Sequence, residues 1–288
     1  MAPDRIRPRM GAEATAPGPI APAPAARTGP PLSVTIIVQD EARNLEACLE
    51  SVKWADEIVV VDSHSTDRTV EIARRYTDRI FQRDYVGQVD KKNHAVERAR
   101  HDWILSVDAD ERITPELARE IRERLATPAG QAASWRIRRR TFCLGREIRY
   151  GEWNPDWVLR CFDRRRAKFG GTDPHDRVEA TGPVRDFAST MLHYNYRDFA
   201  HQIARVQHFS TIAAKAFHAR GERAGLWLML VRPWFRFVKG YVLKRGFLDG
   251  VPGLAVAGCS AFYAFARAVK LWELSHVPPP DAPRQEHP

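Results

Sequence analysis

Four cysteines in 288 residues, Cys48, Cys143, Cys161 and Cys259, form no CxxC pair. That scarcity argues against a disulfide framework and a cysteine-based structural zinc site, and it fits a reducing compartment. Between Met10 and Leu32 the only sizeable aliphatic residue is Ile20, so the apolar core of a secretory signal is missing. The stretch VPGLAVAGCSAFYAFA at 251–266 offers 16 uncharged residues, fewer than the roughly 20 a spanning helix needs. No internal repeat and no groove-reading nucleic-acid motif is present. Acids are outnumbered, 36 Asp and Glu against 45 Lys and Arg, and the resulting charge of +9 calls for an anionic partner.

The sequence does contain an alternation. SVTIIV (33–38), EIVVVD (57–62), RIFQRD (79–84) and WILSVD (103–108) read as strands, separated by helical spacing over 42–52, 66–76 and 91–99. Such alternation predicts a parallel sheet covered by helices, in an α/β fold. Thr114 and Pro115 supply an N-cap and a first helical residue for 114–125, and DFAHQIARVQHFSTIAAKAFHARG (198–221) predicts a long helix. Residues 1–31 hold 8 of the 20 prolines and read as a disordered tail, as do 277–288.

In open parallel sheets, ligands bind beyond the carboxyl ends of the strands. Asp40, Asp62 and Asp108 all fall at such ends. Asp108 opens the DxD triplet Asp108-Ala109-Asp110, followed directly by Glu111, and this crowd of carboxylates needs a cation. A hard divalent ion, Mg²⁺ or Mn²⁺, takes one or two protein carboxylates and completes its shell with substrate phosphate oxygens. DxD alone is a weak signal; after an apolar strand and two further strand-end aspartates it reads as a site.

The stretch VTIIVQDEARNLEACLESVKWADEIVVVDSHSTDRTVEIA, the Lys92-Asn93 pair and WILSVDADERITPEL resemble the nucleotide-binding half of inverting family 2 glycosyltransferases of the GT-A fold. EWNPDWVLRCF, HDRV (175–178), LHYNYRD (192–198) and YVLKRGFLDG (241–250) resemble the branch that adds β-glucose to the lipopolysaccharide inner core. The resemblance spans about 32–274. It implies a GT-A catalytic domain at 32–197, with its nucleotide half at 32–112 and its acceptor half at 113–197, and a helical membrane-associating extension at 198–276. It further implies a UDP-sugar bordered by Asp40, Glu41, Asp62, Lys92, Asp108 and Arg160, and a metal held by Asp108, Asp110 and His175. Family members usually carry Asn where Asp40 stands and a small residue where His64 stands.

Inversion needs a general base, and the resemblance points to Asp156, between Trp153 and Trp157, with Asp176 as competitor. For each aspartate the alternative role is an ordinary pair with a nearby arginine, and for His193, Tyr194 and Tyr196 packing is the alternative to acceptor contact. Between 226 and 272, seven basic residues face one acid, with Trp227, Trp234, Phe235, Phe237 and Trp272 among them. Cationic, aromatic-rich helices of this kind lie in a membrane interface. The expectation is therefore a cytoplasmic enzyme peripheral on the inner membrane, with an anionic lipid-linked saccharide acceptor contacted by the basic segment 136–168 and no nucleic acid. Another envelope glycan is the alternative acceptor. A magnesium phosphohydrolase fits poorly, because its DxD follows the first strand; a basic binding module without catalysis is the remaining class.

Overall fold

A computed structural model describes residues 29–127, 132–172 and 175–277, with the side chains of Thr172 and His175 outside that description. The two tails expected at 1–31 and 277–288 lie almost wholly outside the described residues. Chain order runs β1 (Leu32–Val38), α1 (Ala42–Val52), β2 (Glu57–Asp62), α2 (Thr69–Arg74), β3 (Ile80–Gln82), α3 (Gln88–Arg98), β4 (Trp103–Asp108), β5 (Glu111–Ile113) and α4 (Pro115–Ala126). It continues with β6 (Ser134–Cys143), β7 (Arg146–Glu147), β8 (Asp156–Asp163), β9 (Ala167–Thr172), β10 (His175–Ala180), β11 (Val184–His193), α5 (Phe199–Ala219), α6 (Leu226–Val238) and α7 (Gly250–His276).

The main sheet has the order β3-β2-β1-β4-β8-β6-β11-β5, with β7 on β6. Its first four strands are parallel, because each βαβ crossover returns the chain to the same end. From β8 onward the directions mix: β8 is antiparallel to β4 and β6, β11 is parallel to β6, and β5 is antiparallel to β11. This is the α/β arrangement expected of the GT-A fold. Leu32, Val34 and Ile36 of β1 are fully buried, as are Leu45, Cys48, Leu49 and Val52 of α1, and they join Leu117, Ile121 and Leu125 of α4 in one core. Thr114 caps α4 as expected, its hydroxyl accepting from Leu117 N at 3.2 Å.

α7 is one continuous 27-residue helix, longer than the uncharged stretch foretold. Pro252 does not interrupt it, since it sits in the first turn, where no backbone N–H is required. Close approach of the chain before α7 depends on glycine: a Cβ on Gly246 would lie 2.7 Å from Gly240 O, and one on Gly253 only 1.9 Å from Gly246 O. The carboxylate of Asp249 accepts the backbone N–H of Arg149 (3.1 Å) and Tyr150 (2.9 Å), and Lys244 O accepts that of Gly151 (2.9 Å). These bonds tie the start of α7 to the loop that leads into β8.

Candidate active site

The parallel register sets Asp62 opposite Val38 and Asp108 opposite Ile37, so both acids leave the sheet at one edge. Asp40 lies two residues beyond β1, in a left-handed conformation (φ 53°) that an Asp tolerates better than most residues. Ser65 and Thr66 join these loops. Ser65 donates its N–H (3.0 Å) and its hydroxyl to Asp62, and its Oγ accepts from Asp40 N at 2.8 Å. Thr66 N donates to Asp40 Oδ1 at 2.7 Å. Asp62 is fully buried with both oxygens accepting from Ser65, whereas Asp40 stays exposed. His64, also at φ 53°, pairs with Asp84 at 2.8 Å.

Two adjacent lysines of α3 reach the same edge. Lys91 donates to Val38 O at 2.6 Å; burial pulls its ammonium pKa down to about 8, against the opposing pull of Asp62. Lys92 sits 2.8 Å from Asp176 and 3.2 Å from Asp108, 5.4 Å above the Phe169 ring.

Beyond Lys92 the charges alternate without a break. Arg160 binds the other oxygen of Asp108 and also Glu111 (3.1 Å). Arg139 binds Glu111 (3.1 Å) and Asp156 (2.8 Å). The sequence of partners is Asp176, Lys92, Asp108, Arg160, Glu111, Arg139, Asp156. Sheet register builds it: Arg139 of β6 faces Asp156 of β8, and β11 sets His193 opposite Glu111 of β5. The β6–β8 register passes from Trp135–Cys161 to Arg136–Leu159 and skips Arg160, a bulge of the kind that re-aims a side chain. Burial works against the charged form of Asp108, but Arg160, Lys92 and Arg139 outweigh it and hold the carboxyl well below the usual range. Burial likewise opposes the Arg160 charge, and Asp108, Glu111 and Asp176 overcome it. Glu111, fully buried, also accepts from Asp108 N at 3.0 Å and thereby folds the DxD turn.

Asp110 stands outside this series. Its backbone oxygen accepts from Tyr194 N at 2.8 Å, and one carboxylate oxygen faces His193 Nε2 at 3.6 Å. Burial raises its pKa, yet His193 and then Arg205 tip the balance downward. The same burial, with Asp110 adding to it, pushes Glu41 upward, although its hydrogen bond from Asn44 (2.9 Å) opposes the shift.

Among the described residues no group of three His, Cys, Asp or Glu side chains forms a ready cage for a metal. The charge balance nevertheless fits one ion: Asp110 and the four acids of the series exceed its three cations by two negative charges. A divalent ion that takes most of its shell from substrate phosphates needs few protein oxygens, and among the described residues Asp110 keeps one carboxylate oxygen clear of its His193 contact.

The structure thus gathers Lys92, Asp108, Arg160, Asp156 and Asp176 into one network, places Asp110 beside it, and keeps Asp40, Glu41 and Asp62 on the neighbouring loops. The imidazole of His175 lies outside the described residues. Arg139, Lys91 and Arg205 join the site without having been singled out from the sequence, and Glu111, expected only as part of the acidic crowd, is a buried member of the network. Arg139 was hidden in the RIRRR run, where alternation with Ile137 was its only signal. Most of that run is paired within the chain, Arg136 with Asp186 at 2.6 Å and Arg140 with Glu147 at 2.7 Å, and further along the basic segment Arg165 pairs with Asp163 at 2.6 Å. The expected acceptor-phosphate surface at 136–168 is therefore largely neutralised in place.

The family model described as Glycosyl transferase family 2 matches residues 33–189. A lipopolysaccharide core biosynthesis glycosyltransferase, LpsC of Rhizobium meliloti, is 29% identical over 255 residues, covering 84% of this chain and 92% of its own. An uncharacterized glycosyltransferase of Rickettsia bellii is 30% identical over 257 residues, covering 85% and 87%. Among solved structures, the mannosyltransferase PcManGT of Pyrobaculum calidifontis, in complex with GDP-Man and Mn²⁺, aligns with a TM-score of 0.46 at 19% identity over 89% of this chain and 90% of that one.

Proposed function

The chain belongs to glycosyl transferase family 2, and from that premise we propose that it is a metal-dependent, inverting hexosyltransferase moving glucose from UDP-glucose to an inner-core heptose of lipopolysaccharide. The observation that carries this reading is the alternating network, in which four acids meet three cations and beside which Asp110 stands as a further carboxylate. Asp110, with Asp108 beside it, would hold Mg²⁺ or Mn²⁺; when bound, such an ion neutralises the departing diphosphate. Asp40, Glu41 and Asp62 border the uridine, and Lys92 and Arg160 supply positive charge to the donor.

Asp156 is the general base. It ends the network at the mouth of β8, and both of its contacts to Arg139 fall on Oδ2, which leaves Oδ1 to take the proton of an acceptor hydroxyl. Loss of that proton as the hydroxyl attacks the anomeric carbon, opposite the leaving diphosphate, inverts the centre. Asp176, at the other end, is held by Lys92 on the donor side. The acceptor class rests on the likeness to the Rhizobium relative.

Residues 198–276 hold the enzyme on the cytoplasmic face of the inner membrane. α6 buries none of its residues and exposes Leu226 (75%), Trp227 (73%), Leu230, Trp234 and Phe235. The helical stretch Gly246–His276 is long and apolar enough to cross a membrane, but Ala268 and Leu271 pack on Ala214 and Ala224, which favours lying against the bilayer.

Calorimetric titration with UDP and UDP-glucose, with and without Mn²⁺, tests the donor site. Metal-dependent binding by the wild type and its loss in Asp110→Ala are expected; absence of nucleotide binding under every metal condition would overturn the reading.

A further inference from the structure

A cavity of about 330 Å³ lies between the helices α5, α6 and α7 and the turn Gly151–Trp153, near the lower end of the size range of small-ligand sites. Its wall is aromatic. Trp153 and Tyr196 face each other at 5.6 Å with their rings tilted by 32°, and Phe209 and Tyr263 also line the space. Flat apolar surfaces of this kind pack against the C–H face of a pyranose while leaving its hydroxyls to polar neighbours.

Those neighbours are mostly donors. Gln202 is 1% exposed; its Oε1 is approached by the Cys143 thiol at 3.8 Å, and its Nε2 has no hydrogen-bond partner among the described residues. Arg236 lines the cavity, with one nitrogen on Glu152 at 3.0 Å and a buried Nε that is likewise unpartnered. Arg205, over the Tyr196 and Phe209 rings at 5.9 and 5.0 Å, has an unpartnered buried Nε too. Buried donors left unpaired are costly, so two lining one cavity, with Arg205 stacked on two of its rings, call for a ligand rich in acceptor oxygens. Glu152, the carboxylate recorded against this wall, is already taken by Arg236, and the local charge favours an anion.

The cavity is also well placed. Trp153 precedes Asp156 by three residues, and Tyr196 follows Tyr194, whose N–H binds Asp110 O. We propose that this cavity is a second saccharide subsite, which seats an anionic sugar unit of the acceptor next to the unit that receives the hexose. The assignment rests on the glycosyltransferase reading for its role, but not for its chemistry: an acidic sugar should bind whether or not a nucleotide does.

Saturation-transfer NMR on the full chain tests this with glucuronic acid, glucose 6-phosphate and neutral glucose as probes. Saturable binding of an acidic sugar is expected, with about tenfold weaker binding in Gln202→Leu and in Arg236→Met, the loss of one hydrogen bond to a charged group. The carboxylate and phosphate arms distinguish a sugar acid from a phosphorylated sugar as the natural occupant. Ser260→Phe, which fills the cavity, should abolish the signal; if it fails to fold, the nearly isosteric Gln202→Leu decides. Absence of saturable binding, equal binding of neutral glucose, or a signal unchanged in these variants would overturn the proposal. UDP titration of the same samples keeps the two readings apart: UDP bound without acidic sugar defeats the cavity alone, and acidic sugar bound without UDP defeats the donor-site reading alone.

Discussion

The strand-end cluster and the C-terminal helices handle charge in opposite ways. In the cluster, acids and bases alternate from Asp176 to Asp156 and each interior member touches two partners of opposite sign. On α6, the exposed face joins Leu226, Trp227, Leu230, Trp234 and Phe235 with Arg232, and little of it is covered by protein. Burial explains the difference: a charge out of water must be paired, whereas an exposed amphipathic face keeps its groups for an outside partner. One region is balanced internally and fixes geometry; the other is left open for a surface.

The contrast breaks most severely at the ends of the network. Asp156→Asn should lower turnover by roughly 10²–10⁴-fold, the usual contribution of a general base, while the unfolding midpoint stays close to wild type. Asp176→Asn compared in the same assay decides between the two ends, since a larger loss there would transfer the role. At the centre, Glu111→Ala leaves Arg139 and Arg160 facing an empty buried position; urea denaturation should show a loss of about 3–5 kcal/mol. A loss near zero would mean that water enters the cluster.

On the open side, the triple substitution Trp227→Ser, Leu230→Ser, Trp234→Ser should reduce co-sedimentation with anionic phospholipid vesicles by at least about tenfold and leave thermal stability unchanged, because these residues are exposed. A parallel fall in melting temperature would instead assign α6 to internal packing. The smallest effect concerns Lys91. Its folded pKa is about 8 against 10.5 ordinarily, so between those values the folded state has released a proton that the unfolded state keeps. Its contribution to stability therefore rises with pH across that window and is constant above it. The unfolding free energy of wild type minus that of Lys91→Met should climb over the window, and a flat difference would show a solvated ammonium.

Much of the fold was legible because it depends on local pattern. The β-branched runs at 33–38, 57–62 and 103–108 are strands, and Thr114-Pro115 starts a helix. The edge on which Asp62 and Asp108 emerge follows from that alternation alone. The network was not legible, because its seven members come from α3, β4, β5, β6, β8 and β10, and only non-local register brings Arg139 beside both Glu111 and Asp156. Glu111 illustrates the limit: the sequence showed an acid in a crowded turn, but its burial between two arginines comes from β5 pairing with a strand some 80 residues later. The arginine run at 136–140 misled for the same reason, since its partners Glu147 and Asp186 are supplied by other strands.

The bonds from Asp249 and Lys244 to the 149–151 backbone bear on how such proteins can be recombined. The helices at the end of the chain are not a detachable cassette: they supply hydrogen-bond acceptors to the loop that leads to Trp153 and Asp156. A chimera that joins the strand half of one relative to the helices of another therefore inherits a mismatched seam unless the crossover also carries residues 146–156 with their helical partner. The junction worth preserving lies inside the catalytic half, some 50 residues before the helices begin.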